Sequence, residues 1–350
     1  MSPGSRLPLY AIAFGALGVA GLVATFERPP IETIQRGFRG VGMVENYNPR
    51  RVAEIAALNQ LPPVIEASPP SGTLARDVYQ NVPVLGHVDS DEFVRLMSAI
   101  TEWVAPVQGC TYCHAEGEDL SSDSLYTKVV ARRMLQMTQH INADWQAHVA
   151  GTGVTCYTCH RGQPVPAFAW ATDPGSMRAA GASASSAGQN HPAPRAGLTS
   201  LPRDPLTRYL SEENAIRVVG PTALPEGNNT SIKQTEGTYA LMLHMSESLG
   251  VNCTYCHNSR SFTAWDQSTP QRTTAWQGIQ MVRDLNRDYL LPLTSQIPAN
   301  HRGLTGDVLK IGCATCHQGV YKPLFGASML TDFPELGTSA PAVPAGSSTQ

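Results

Sequence analysis

The stretch from Met134 to His160, MLQMTQHINADWQAHVAGTGVTCYTCH, decides how the rest of the chain is read. It ends in CYTCH, the signature of covalent haem attachment. Two thiols three positions apart add to the two vinyl groups of one porphyrin, and His160 falls under the ring as the proximal iron ligand. A sixth ligand must come from elsewhere. Met134 lies 22 residues before Cys156 and His148 lies eight before it, both on segments with helical patterning. In one continuous helix the 14 residues between them would span roughly 21 Å with almost the same facing, so the two could not share one iron. Met134 therefore reads as the distal ligand of this haem, and His148 as a ligand for a second one.

All eight cysteines fall in four CxxCH boxes: Cys110, Cys113 and His114; Cys156, Cys159 and His160; Cys253, Cys256 and His257; Cys313, Cys316 and His317. Four boxes that consume every cysteine imply four covalently bound c-type haems. Pairing the CxxC units into four-cysteine zinc sites would leave four adjacent histidines without a role. A disulfide scaffold suits a much shorter chain, and a thioredoxin-like motif needs a βαβ context that the sequence lacks. The formal charge of −3 points to neither a nucleic-acid binder nor a strongly charged surface protein. Arg132, Arg133, Arg161, Arg272 and Arg302 stand near the boxes as partners for haem propionates, or as solvated surface groups.

Residues 1–6 read as a cytoplasmic N-terminus and 7–26 as a transmembrane anchor. Leu7 to Phe26 is a 20-residue run without a charge, the length needed to cross the hydrocarbon core, and Arg6 before it agrees with that orientation. The competing reading is a cleaved signal peptide, whose apolar region is usually shorter. Residues 27–88, rich in Pro, Gly and Arg, read as an extended periplasmic segment. Helical order resumes at Asp89 or Ser90, with Phe93, Leu96, Met97, Ile100, Trp103 and Val104 on one apolar face. Pro106 and Gly109 end that helix just before the first box, so Met97 reads as the distal ligand there. The next helix, which Asn142 or Asp144 breaks, carries Met134.

A first two-haem unit thus covers 89–170. Residues 171–206 turn to Gly, Ala, Ser and Pro and read as a flexible linker. A second two-haem unit covers 207–336, and 337–350 read as a disordered tail. The boxes lie 46 residues apart in the first half, 60 in the second and 97 across the linker, which suggests a duplicated unit. In the second half TYALMLHMSESLG places Met242 eleven residues before Cys253 and stops a helix at Gly250, with His244 and Met245 on other faces. The helix before the fourth box departs from the plan: its methionine, Met281, is 32 residues ahead of Cys313, and Leu291 stands where Met134 has its counterpart. His148, His140, His301 and Met281 remain the candidate donors to the fourth haem.

From about Gly37 to Gly337 the chain resembles the tetrahaem cytochrome c subunit of the purple-bacterial photosynthetic reaction centre. The likeness rests on the paired boxes and on ITEWVAPVQGCTYCH, VVARRMLQMT, GVTCYTCHRG, ESLGVNCTYCHNSRSF and CATCHQGVYKPLFGAS. It implies a mainly α fold with long irregular segments, built of two pseudo-repeated two-haem units. It also implies methionine on three haems, here Met97, Met134 and Met242, and His148 on the fourth. Members of that family are often tethered by lipid on a cysteine. Here no cysteine is left over, which leaves the tether to the N-terminal helix or the hold to a partner complex.

The function implied is electron transfer, not catalysis: a soluble cytochrome c or high-potential iron-sulfur protein reduces the outermost haem, and the innermost re-reduces the photo-oxidised bacteriochlorophyll pair. By resemblance the third haem is nearest that pair, followed outward by the fourth, second and first. The partners implied are the L and M subunits, H through the complex, and a light-harvesting ring as a further neighbour. The location implied is the photosynthetic inner (intracytoplasmic) membrane, single-pass, with the haem domain periplasmic. The acidic loop Glu116 to Asp123 reads as a docking aid for the donor. A multihaem periplasmic oxidoreductase would need an open distal site, whereas enough ligands exist here to close all four. A redox sensor would need neither the N-terminal helix nor the long segment after it.

Overall fold

The computed structural model describes residues 7–26, 32–36, 43–175, 193–219 and 231–337. The expected N-terminus at 1–6, the Gly/Ala/Ser-rich middle of the linker at 176–192 and the tail from 338 lie outside the described residues.

Helix α1 covers Leu7–Thr25, 19 residues, and its described side chains are exposed. At about 1.5 Å per residue it is roughly 28 Å long, short of a hydrocarbon core of about 30 Å. Among the described residues no helix is long and apolar enough to cross a membrane. The single-pass anchor expected over Leu7 to Phe26, and the membrane topology built on it, are corrected by that finding.

The segment expected to run extended from residue 27 holds local structure. Strands β1 (Glu32–Arg36) and β2 (Met43–Tyr47) pair antiparallel, Glu32 opposite Tyr47. Helix α2 (Pro49–Leu58) follows, with the Asn48 carboxamide accepting from the Arg50 N–H and proline at the first helical position, where its missing donor costs nothing. The turn α3 (Ala75–Val78) leads to α4 (Ser90–Val104), whose N-cap is Asp89. The Asp89 carboxylate accepts from the N–H groups of Asp91, Gly72 and Ser71, tying the preceding loop to the helix start.

Four more helices or helical turns surround the first two boxes and the start of the second half: α5 (Tyr126–Asp144), α6 (Gln146–Val149), α7 (Cys156–His160) and α8 (Ile232–Leu249). The break expected at Asn142 or Asp144 falls after Asp144, where Trp145 leaves helical geometry. The stop expected at Gly250 is a left-handed residue, φ 62°, whose N–H caps the last turn of α8. Helix α9 (Pro270–Leu285) and the box helix α10 (Cys313–His317) complete the second half.

The core forms several apolar clusters rather than one. Trp103, Leu96 and Ala99 of α4 are buried with Phe333 and Leu336 from the far end of the chain. The Trp103 and Phe333 rings meet edge to face at 4.7 Å, and the Arg95 guanidinium sits 4.0 Å over Phe333. Gln139 and Asn142 of α5 donate to the carbonyls of Glu335 and Leu336, so the last described turn is bonded to the first half. Trp170, from the end of the first half, is buried with Leu206, Tyr209 and Leu210 against α8 and α9 of the second. Part of the presumed linker is therefore packed: Ala193, Ala196 and Leu206 are buried, and Ala193 pairs with Thr199.

The two halves also meet just before the fourth box. Trp170 and Lys310 exchange both backbone hydrogen bonds, at 2.9 and 2.7 Å. Lys310 is fully buried, ion-paired with Asp307, and its Nζ lies 4.5 Å from the Trp170 ring centroid. Burial alone would raise the Asp307 carboxyl, but hydrogen bonds from Lys310, Thr305 and Thr172 outweigh it and hold the group below the usual carboxylate range. Because the folded-state value is depressed, this stabilisation is present above about pH 4 and is lost as pH falls through the folded value. Asp307→Asn strands the buried ammonium. It should destabilise the chain by about 3–5 kcal/mol in chemical denaturation, whereas a change under about 0.5 kcal/mol, as at an ordinary surface site, would show the pair to be idle.

Candidate functional site

The four boxes fold in two ways, and the alternation follows the chain. The second and fourth are single helical turns, α7 and α10. In α7 the Thr155 N–H donates to Thr158 Oγ1, and in α10 the Gly312 N–H donates to Thr315 Oγ1, each at 3.0 Å. Both turns end on a left-handed residue, Arg161 at φ 50° and Gln318 at φ 48°. The first and third boxes are 3-10 turns, Gly109–Tyr112 and Cys253–Tyr255, in which the His114 and His257 N–H groups donate to the carbonyls of Cys110 and Cys253. Thr127 donates to the Tyr112 carbonyl and Thr269 to the Tyr255 carbonyl. The Gly162 N–H donates to Trp103 of α4, and the Gly319 N–H to Ser248 of α8.

Each box histidine is aimed by the same kind of bond. Nδ1 faces a backbone carbonyl at 2.9 Å for His114 (Leu120), 2.8 Å for His160 (Gln163), 2.8 Å for His257 (Phe262) and 2.9 Å for His317 (Val320). A carbonyl can only accept, so Nδ1 carries the proton and Nε2 keeps its lone pair. That is the tautomer and orientation a metal-bound imidazole needs. Burial also favours the neutral ring at three of the boxes. It lowers His160 and His257 against their carbonyl bonds, and it takes His317 down to about 4.

His148 repeats the pattern from outside a box. Its Nδ1 faces the Thr274 carbonyl of α9 at 2.9 Å, and burial lowers its pKa despite that bond. Its ring lies edge-on to that of His317, with centroids 6.1 Å apart. Two imidazoles bound through ring nitrogens to one metal ion, at about 2 Å each, would have centroids roughly 6 Å apart.

The other candidates are placed differently. His140 has both ring nitrogens occupied: Nδ1 meets Asp144 and Nε2 meets Asp284, each at 2.7 Å, and the ring stacks on Tyr289. His301 packs near Tyr126, with centroids 6.1 Å apart. His244 is buried on α8 beside Ser248, and burial lowers it to about 4. Met281 is buried among Leu285, Val308 and Ile311. Met97, Met134 and Met242 line three separate apolar clusters. Met134 is seven residues after Thr127, and seven after the matching Thr269 stands Trp276, so the counterpart of Met134 is an indole rather than Leu291.

The structure brings the second and fourth boxes together. Cys159 and Cys316 lie with Cα atoms 4.5 Å apart and are joined as a disulfide. A sulfur bonded to sulfur cannot add to a vinyl group, so haem attachment at both boxes requires this bridge to be open. Arg161 crosses the same junction, donating to the carbonyls of Leu58 and Cys316. Asn59 donates to the Gln318 carbonyl and accepts from the Leu324 N–H, docking the end of α2 on the fourth box. Of the arginines considered for propionates, Arg132 is paired with Asp123, Arg133 lies over Tyr289, Arg272 over Trp265, and Arg302 donates to the Ile297 carbonyl. Among the described residues no group of three or more His, Cys, Asp and Glu could hold a bare metal ion. Paired thiols beside a histidine with a free Nε2 fit covalent haem, with the iron supplied inside its porphyrin.

Comparison with known proteins agrees. The family model for the photosynthetic reaction centre cytochrome C subunit matches residues 27–337. The chain belongs to the photosynthetic reaction centre cytochrome c subunit family. Over 336 residues it is 53% identical to the photosynthetic reaction center cytochrome c subunit of Rubrivivax gelatinosus, covering 96% of this chain and 91% of that one. It is 48% identical over 340 residues to the same-named subunit of Thermochromatium tepidum, covering 97% and 83%. With that of Roseobacter denitrificans it shares 43% over 347 residues, covering 94% and 93%. Members of this family are electron-transfer subunits of the reaction centre, not enzymes, and c-type haem is their cofactor.

Sequence reading missed Asn59, Thr274 and Gly278 and gave Arg161 only a propionate or surface role; all four act through backbone contacts that no motif encodes. A glycine inside a helix that an alanine would stabilise by about 1 kcal/mol is the signal that marks Gly278. His140 separates ligand from spectator. His140→Gln should leave every haem band unchanged while costing about 1–3 kcal/mol of stability, because Asp284 and Asp144 lose a partner. Loss of one haem's sixth ligand in the optical spectrum of this variant would make His140 the donor instead.

Proposed function

We propose that the chain holds four haem c groups and passes electrons from a soluble periplasmic donor to the photo-oxidised bacteriochlorophyll pair of a reaction centre. When bound, haem supplies an iron that cycles between ferric and ferrous. The chain's residues fix where each iron sits and set its potential through axial ligands, hydrogen bonds and burial. His114, His160, His257 and His317 would be the proximal ligands, and the thioethers would form at Cys110, Cys113, Cys156, Cys159, Cys253, Cys256, Cys313 and Cys316. Met97, Met134 and Met242 would hold the first three haems from the other side, and His148 the fourth.

The observation that carries this reading is the shared bond at Nδ1. Five histidines donate it to a carbonyl and leave Nε2 free, four of them in boxes and the fifth facing the ring of His317. The alternation of box geometry supports two duplicated two-haem units. The contact between the second and fourth boxes supports a chain of haems in the order first, second, fourth, third. The L and M subunits would receive the third-haem end, with H in the same complex and a light-harvesting ring adjacent, and the chain would stay at the membrane through these partners.

At the outer end, Asp123 is bound by Arg132 and Lys128, which leaves Glu116, Glu118 and Asp119 exposed beside the first box. An exposed acidic rim steers a basic donor and makes its arrival salt-dependent. Neutralising Glu116, Glu118 and Asp119 together should slow donor reduction and flatten its salt dependence in flash kinetics; an unchanged salt slope would leave the loop without a docking role.

Imidazole in place of thioether favours the ferric state, so the fourth haem should titrate below a methionine-ligated haem in similar surroundings. In a redox titration of the purified complex, His148→Met should raise one midpoint and leave three nearly unchanged. A bis-histidine haem that survives this substitution would transfer the role to His301.

A further inference from the structure

His148 sits on α6, a helix of only four residues, and the next residue but one, Ala150, has a left-handed φ of 50°. So short a turn does not by itself hold an imidazole to one orientation. The contacts that do so come from α9, in the other half of the chain. The Thr274 carbonyl accepts from Nδ1 at 2.9 Å. Four residues on, and so on the same face of the helix, stands Gly278, which is buried within α9. A Cβ added at Gly278 would lie 2.5 Å from His148 Cε1, 2.9 Å from Nδ1 and 3.0 Å from Nε2. Its three nearest neighbours are all imidazole atoms and none is backbone.

Glycine weakens a helix interior, and alanine is the better former. Here the missing Cβ is the space the ring occupies. We propose that Gly278 and the Thr274 carbonyl form a seat on α9 that aims His148 Nε2 at the iron held by the fourth box. They are positioning residues supplied by the half of the chain that owns the iron, acting on a ligand supplied by the other half. Nδ1 is held by the carbonyl, the ring rests on bare backbone, and its centroid stands 6.1 Å from that of His317. The seat deepens the reading of His148 as the fourth haem's distal ligand and rests on it.

A role in close backbone packing alone makes a different forecast from a role in seating the ring. The test is Gly278→Ala in the purified reaction-centre complex, read by EPR and redox titration beside His148→Met, His148→Ala and the double variant His148→Ala/Gly278→Ala. With the seat in place, Gly278→Ala displaces the imidazole. One haem loses its bis-histidine low-spin signal and shifts in midpoint, the other three do not move, and the double variant matches His148→Ala alone. If Gly278→Ala yields no complex, recovery of folded complex in the double variant supports the seat, because removing the ring removes the clash. Failure of both to fold overturns it, since the glycine then serves the backbone. Wild-type signals in Gly278→Ala, while His148→Met alters one haem, overturn the seat and leave the ligand assignment standing. No change in His148→Met removes the ligand assignment and the seat with it.

Discussion

A hydrogen bond from an imidazole Nδ1 to a backbone carbonyl is the interaction on which the arrangement of this chain depends. It settles the tautomer, holds the ring plane and leaves one nitrogen with a lone pair. Its acceptors come from three kinds of place: loops after the first and third boxes, tight turns after the second and fourth, and a helix of the opposite half for His148. Because the acceptors are backbone atoms, the histidines are oriented by the path of the chain. Whatever fixes that path therefore tunes the sites.

The path is fixed largely by exchange between the two halves. The last described residues lie under α4, α2 docks on the fourth box through Asn59, Arg161 reaches Cys316, and Trp170 pairs with Lys310. Each tie links segments separated by more than a hundred residues, so neither half is complete alone. In an electron-transfer subunit such cross-bracing limits relative motion of the boxes. It also places the second and fourth boxes, one from each half, side by side.

The parts of this structure that follow from local rules could be read in advance. Asp89 caps α4, the helix through Met134 breaks after Asp144, and Gly250 takes the left-handed conformation, because capping and steric preference act within a few residues. The boxes carry their chemistry in their spelling. What escaped reading depends on partners far along the chain. Ala193, Ala196 and Leu206 look like linker composition, yet they are buried because helices of the second half cover them. The Arg- and Pro-rich start of α2 conceals a capped helix whose use lies in docking on the fourth box. The run from Leu7 is apolar enough to suggest a membrane span, but its helix stops at Thr25 and the length falls short. His140 and His148 are eight residues apart and look equally able to ligate. Only the two carboxylates on one, and the carbonyl and bare glycine on the other, separate them.

As proposed, the chain before attachment already holds its histidines in the positions the irons require, with His148 and His317 as opposite ligands of one of them. A cryo-EM map of the haem-loaded chain in its reaction-centre complex tests this most directly. The expected map shows one iron between His148 Nε2 and His317 Nε2, thioether density at all eight box cysteines, and Nδ1 of His148 still on the Thr274 carbonyl. An intact Cys159–Cys316 bridge, or a different sixth ligand opposite His317, would contradict it.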